Sequence, residues 1–203
     1  MGMSDVIAVF RTAGVAADDD GISENAAVGN NAALTIGGAL ASGGSVTLNS
    51  GQLVTITSAG DDDEISFTVV GTDIFGDALT ESVTGANAGV ATSSGFFKTI
   101  ASITAVGDPA GNVKAGVSNS CADNIFAGPA RLKGAYIVNS ATAGTIKFRT
   151  TSVSGTTLME VGTVASATVT RDITIPEEGM RFPSGIIITY TGGTFTSITA
   201  FHA

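Results

Sequence analysis

His202 and Cys121 are the single histidine and the single cysteine of this 203-residue chain. A Ser-His-Asp or Cys-His couple would have to be built on His202. That residue lies one position from the C-terminus, in strand register with Ile198 and Ala200, so its expected place is exposed or at an interface, outside any catalytic centre. Cys121 has no second cysteine with which to form a disulfide and no Cys/His cluster to join as a metal ligand. Its expected role is that of a small, buried or half-buried apolar filler.

Carboxylates offer the other route to chemistry. They cluster at Asp18-Asp19-Asp20 and at Asp61-Asp62-Asp63-Glu64. Calcium takes several carboxylate oxygens converging from a loop, but neither cluster has the alternating register of an EF-hand loop. Contiguous acids in a turn point apart into water, which is the expectation here; contact with a basic patch on a partner and calcium binding are the alternatives. A glycosidase needs two carboxylates roughly 5–10 Å apart in a cleft, commonly beside aromatic platforms, and the chain has no Trp and two Tyr. Gly37-Gly38 and Gly43-Gly44 are not followed by Gly-Lys-Ser/Thr, so no phosphate-binding loop is present. The sequence thus names no catalytic residue, no cofactor and no metal ligand, and the expectation is a protein that is not an enzyme.

The elements that would have to position such groups are strands. Residues 53–84 set short runs rich in Thr and Val between turns of Asp and Gly. β-Branched residues suit a pleated, half-buried surface, and Gly/Asp clusters mark chain reversals. Ile65, Phe67 and Val69 alternate with Ser66 and Thr68, as do Ile146 and Phe148 with Lys147 and Arg149. This period of two is that of a strand with one dry face. Strands are predicted at 45–48, 52–58, 64–71, 78–84, 88–93, 97–106 and 111–117. A second series is predicted at 132–139, 145–151, 156–164, 167–175, 186–190 and 194–202. Glu81 interrupts the apolar face of Leu79 and Val83, which predicts a sheet rim or a partner for it.

Charge divides the chain. Residues 1–125 hold Arg11, Lys98 and Lys114 against fourteen Asp and Glu, whereas residues 126–203 hold six basic and four acidic residues. The switch falls beside Gly128-Pro129, a linker signal. The expected fold is all-β: two small antiparallel β-sandwich or jelly-roll-like domains preceded by a Gly/Ala-rich N-terminal arm. Residues 1–44 would form the arm or an irregular segment, with one short strand around Leu34-Thr-Ile36. Residues 45–125 would form the acidic β domain and 126–203 the C-terminal sandwich.

Charged residues make up 13% of the chain, against about 25% in an ordinary soluble domain. In their place stand 27 Thr and 19 Ser. Surfaces that end in lasting contact tolerate such depletion, a weak pointer to an assembled protein. A net charge of −9 with scattered basic residues argues against nucleic-acid binding. No apolar run approaches the ~18 residues of a membrane span. The apolar run near the N-terminus extends from Val6 to Phe10, shorter than a secretory signal needs. The chain is therefore expected to be made and kept in the cytoplasm until assembly.

Two segments resemble a known group of proteins. Residues 53–117 carry Thr55-Ile-Thr-Ser-Ala-Gly-Asp61, Phe67-Thr-Val-Val-Gly-Thr-Asp73, Leu79-Thr-Glu-Ser-Val-Thr-Gly-Ala-Asn-Ala-Gly89, Phe97-Lys-Thr-Ile-Ala-Ser-Ile103 and Ala110-Gly-Asn-Val113. Residues 132–201 carry Ala135-Tyr-Ile-Val-Asn-Ser-Ala-Thr-Ala-Gly-Thr145, Ser152-Val-Ser-Gly-Thr156, Ile175-Pro-Glu-Glu-Gly-Met-Arg-Phe182 and Gly185-Ile-Ile-Ile-Thr-Tyr190. These resemble β domains of small virion proteins of tailed bacteriophages. The resemblance implies a structural virion component. First in order is a capsid decoration or cement protein, a homotrimer on the major capsid protein that binds neither membrane nor nucleic acid. A tail or baseplate accessory, or a carbohydrate-binding fibre module using Tyr136, Tyr190 and exposed Phe, is the alternative.

Overall fold

The computed structural model describes residues 5–166 and 169–203. They form fifteen strands and no helix. In chain order these are β1 (Ile7–Thr12), β2 (Asp18–Ala27), β3 (Ala41–Ser42), β4 (Ser45–Ser58), β5 (Ser66–Thr72), β6 (Ala78–Thr84), β7 (Val90–Val106) and β8 (Asn112–Phe126). The series continues with β9 (Ala130–Asn139), β10 (Thr145–Arg149), β11 (Thr157–Gly162), β12 (Thr170–Thr174), β13 (Met180–Phe182), β14 (Ile186–Thr191) and β15 (Phe195–His202). The chain is all-β, as expected. Among the described residues no helix is long and apolar enough to cross a membrane.

The chain divides into two compact units, one central in sequence (Ala17–Asn119) and one discontinuous (Met1–Ala16 with Ser120–Ala203). In the discontinuous unit, β1, β15, β9 and β12 lie side by side, with β13 also on β9. Residues 120–126 of β8 pair with β14, which pairs with β10, which pairs with β11. All of these pairings are antiparallel. One core cluster takes Ala135, Ile137, Ile198 and Ala200 from the first set of strands and Cys121, Ile146, Phe148, Ile188 and Tyr190 from the second. Alternating residues of two sheets filling one interior is the packing of a sandwich. Ile146 and Phe148 are buried while Lys147 and Arg149 reach outward, as their alternation predicts.

The central unit orders β6, β5, β7, β4 and the first part of β8, with β2 on β8 and β3 on β4. Its buried residues include Ile22, Val46, Leu48, Val54, Ile56, Phe67, Val69, Phe97, Ile100 and Ile103. Two strands here are longer than predicted. Segments 45–48 and 52–58 form the single strand β4, and residues 90–93 of the segment predicted at 88–93 join 97–106 in the single strand β7. Asn49-Ser-Gly51 and Ser93-Ser-Gly95 carry turn-forming residues, yet each sits at a register shift within a continuing ladder. These are bulges, where extra residues kink a strand without ending it.

The division of the chain also differs from the sequence expectation. Residue 125 lies inside β8, and Gly128-Pro129 occupies the short connection from β8 to β9 within one unit. The first 44 residues are shared between the units. β1 pairs along its length with β15, and β2 pairs with β8. Residues 32–40 are held to the central unit by backbone hydrogen bonds, among them Leu34 N–H to the Ile103 carbonyl at 2.9 Å and Leu40 N–H to the Gly21 carbonyl at 2.7 Å. Backbone pairing organises this segment where hydrophobic patterning is weak, because Gly and Ala allow close approach. A Cβ on Gly38 would stand 2.2 Å from the Asp20 carbonyl oxygen. The strand predicted at 167–175 is seen as Thr170–Thr174; residues 167 and 168 lie outside the described residues.

Candidate functional site

His202 is 3% exposed, which corrects the expectation of an exposed or interface residue. β15 lies between β1 and β9, and His202 stands opposite Ile7 on one side and Leu132 on the other. Its ring packs 4.8 Å from that of Phe126. Burial lowers its pKa below the ordinary histidine value, so the imidazole is neutral. Cys121 is buried in the core of the same unit. Burial first, and then the charge of Asp123, push its thiol up to about 12. A thiol held protonated is a poor nucleophile.

The second acidic cluster is a structural turn in part. Asp61, Asp63 and Glu64 are exposed, but Asp62 is fully buried. Its Oδ1 accepts the Ala110 N–H at 2.7 Å and its carbonyl accepts the Ile65 N–H at 3.0 Å. The first cluster departs further from expectation. Asp18, Asp19 and Asp20 open β2 and can bring one carboxylate oxygen each within 4.8 Å of one another, whereas acids solvated in a turn would diverge. Lys114 of β8 forms an ion pair with Asp19 Oδ2. That hydrogen bond is the main cause of a raised Lys114 pKa.

Glu81 has a partner within the central unit. Its two carboxylate oxygens accept the N–H groups of Ser94 (2.6 Å) and Gly95 (2.8 Å), the donors exposed by the bulge in β7. Ser93 Oγ completes the bulge, accepting the Val54 N–H at 2.9 Å and donating to the Gly95 carbonyl at 3.0 Å. Of the two tyrosines, Tyr136 is partly exposed and Tyr190 is buried.

The surface feature that sequence reading passed over is β1. Among the described strands it pairs with β15 alone, so its second edge is open. Val9 packs on the core and Arg11 donates to the Asn124 carbonyl at 2.9 Å, which fixes the strand's inner face. Val6 (52% exposed), Ile7 (52%) and Phe10 (60%) remain in solvent. Edge strands are commonly protected by Lys, Pro or a bulge. β1 contains no Lys and no Pro, and its register with β15 is unbroken. An open backbone edge beside exposed apolar side chains is suited to receiving another polypeptide. The sequence signal was the run Val6 to Phe10, weighed as a signal segment and not as a strand.

In comparisons with known proteins, no family, no curated protein and no solved structure matches this chain.

Proposed function

We propose that this chain is a structural virion protein, a capsid decoration or cement protein that binds the outside of a tailed-phage head and spans joints between coat subunits. The observation that carries the reading is the open, apolar edge of β1. It offers unpaired backbone groups and exposed Ile7 and Phe10, with exposed Val6 just ahead of them, on a strand whose other side is hydrogen-bonded to β15. The resemblance of residues 53–117 and 132–201 to phage virion domains supports the same reading, as does a surface rich in hydroxyls and low in charge. The partner is the major capsid protein, and the decoration unit is a homotrimer. Several weak strand-edge contacts made at once would give lasting attachment, and that resists the outward pressure of packaged DNA.

Quantitative mass spectrometry of purified particles tests this reading. Copies on the order of the coat subunits support it. A handful of copies per particle, or recovery with tails and not with heads, would overturn it in favour of a tail or baseplate accessory. Phe10→Asp, which alters an exposed side chain, should lower occupancy of the shell while the circular dichroism of the free protein stays that of the parent.

A further inference from the structure

The segment around β1 carries its charges at its ends and apolar residues between them. From Asp5 to Arg11 the order is Asp-Val-Ile-Ala-Val-Phe-Arg, an acid just ahead of the strand and a base near its close. Ala8 and Phe10 share the outer face and are exposed, as is Val6. Ile7, Val9 and Arg11 share the inner face, where Ile7 is still 52% exposed. Two other strands of the discontinuous unit also end their sheets, since among the described strands β11 pairs with β10 alone and β12 with β9 alone. Both hold exposed charge inside the strand, Glu160 in β11 and Arg171-Asp172 in β12. Charge within an edge strand blocks pairing with another chain. β1 has none between Asp5 and Arg11.

We propose that in the free chain this edge is occupied by β1 of a second copy, antiparallel about a two-fold axis at Ala8. Opposite residues of an antiparallel ladder lie on the same face of the sheet. With Ala8 facing Ala8 of the second copy, Val6 faces Phe10, Ile7 faces Val9 and Asp5 faces Arg11. The exposed apolar side chains are then covered in pairs, and the smallest of them sits on the axis. Charge is complementary in the same register. Asp5 is exposed, and Arg11 has no carboxylate partner among the described residues. Its guanidinium donates from Nη1 to the Phe10 carbonyl and from Nη2 to the Asn124 carbonyl, and further N–H groups of the same fork remain for an incoming carboxylate. Sliding the second copy by the next step that keeps the faces matched sets Asp5 opposite Val9 or Ala13 and leaves no ion pair.

A pairing of this kind is isologous, so it uses both open β1 edges and closes at two copies. It shares the β1 edge with the function proposed above and is otherwise independent of it, because it concerns the chain before any coat protein is met. A coat strand takes the edge only by displacing the second copy.

Sedimentation equilibrium of the full chain tests the proposal, with cross-linking to fix the register. One strand edge is a small interface of the weak class, so monomer and dimer should interconvert with concentration below about 1 mM. Asp5→Arg and Arg11→Asp should each weaken the dimer about tenfold, since the axis repeats the altered pair and opposed like charges repel. The double variant, D5R with R11D, restores the complement and should return to within about threefold of the parent. Ala8→Cys places two thiols across the axis, their Cβ atoms about 4.5–5.5 Å apart. Oxidised glutathione should link this variant into a covalent dimer much faster than Thr12→Cys, whose two thiols would lie about 27 Å apart along the ladder. Cys121 is buried and does not compete. If Arg11→Asp fails to fold, the two cysteine variants still decide the matter. A chain that stays monomeric up to about 1 mM overturns the proposal and leaves coat attachment to the copy number on particles. A dimer or trimer in which Ala8→Cys links no faster than Thr12→Cys also overturns it, because β1 would then meet a different surface. A dimer in this register, from a chain absent from phage heads, would sustain the pairing and sink the proposed function alone.

Discussion

The Tyr190 hydroxyl accepts the backbone N–H of Gly14 at 2.9 Å, joining residues 176 positions apart in sequence. Tyr190 sits on β14 with its ring edge-on to Phe195, and its hydroxyl in turn reaches Asp123 Oδ2 at 3.4 Å. Gly14 is buried just beyond β1, so this bond satisfies a donor that water cannot reach. It is one of the contacts that fix the N-terminal segment to the discontinuous unit.

Tyr190→Phe keeps the ring and removes the acceptor. A buried N–H left unsatisfied costs about 1–3 kcal/mol, and the urea midpoint should fall accordingly. An unchanged midpoint with an unchanged slope would show that the Gly14 contact contributes nothing.

Glu81→Ala removes both acceptors from the bulge in β7. The Ser94 and Gly95 N–H groups then depend on water, and the loss should be about 1–3 kcal/mol. Glu81→Gln keeps one acceptor oxygen and should recover part of that loss. Equal stability of all three proteins would mean that the carboxylate is incidental to the bulge.

His202 makes stability depend on pH in a definite direction. Its folded pKa lies below the unfolded value of about 6.5 because burial disfavours the charged ring. As the pH falls through 6.5 towards the folded value, the unfolded chain takes up a proton that the folded chain refuses. Stability is therefore complete above about pH 6.5 and declines below it. Since His202 is the sole histidine, His202→Gln should flatten the melting temperature between pH 7.5 and about 5.5. A parent protein equally stable across that window would contradict the assignment.

Cys121 should resist alkylation by iodoacetamide at about pH 8 in the native protein and react on unfolding, because its thiol is buried and its pKa is raised to about 12. Rapid labelling of the folded chain, followed by mass spectrometry, would show the core around Tyr190 to be open.

Phe67, Val69, Ile146 and Phe148 declared their strands and their buried faces in the sequence, because alternation along a strand is a local property that needs no knowledge of the partner. The all-β class followed from many such segments. Whether Asn49-Ser-Gly51 and Ser93-Ser-Gly95 end a strand or bulge it was not local. That outcome depends on Lys98, which donates to the Asn49 carbonyl, and on Glu81, which receives the bulge donors of β7. Asp18, Asp19 and Asp20 were visible as a run of acids, but how they lie depends on Gly116 and Lys114 of β8, which strand pairing brings against them.

Composition and alternation thus determined that the chain is β-structured, low in charge and poor in catalytic residue types. Tertiary structure alone decided where the N-terminal residues lie and which polar groups are buried. The physical reason is the length of the closing contacts. β1 finds its partner β15 almost a full chain length away, and no short window of sequence registers that pairing. It buries His202, and on its far side it leaves Phe10 in solvent.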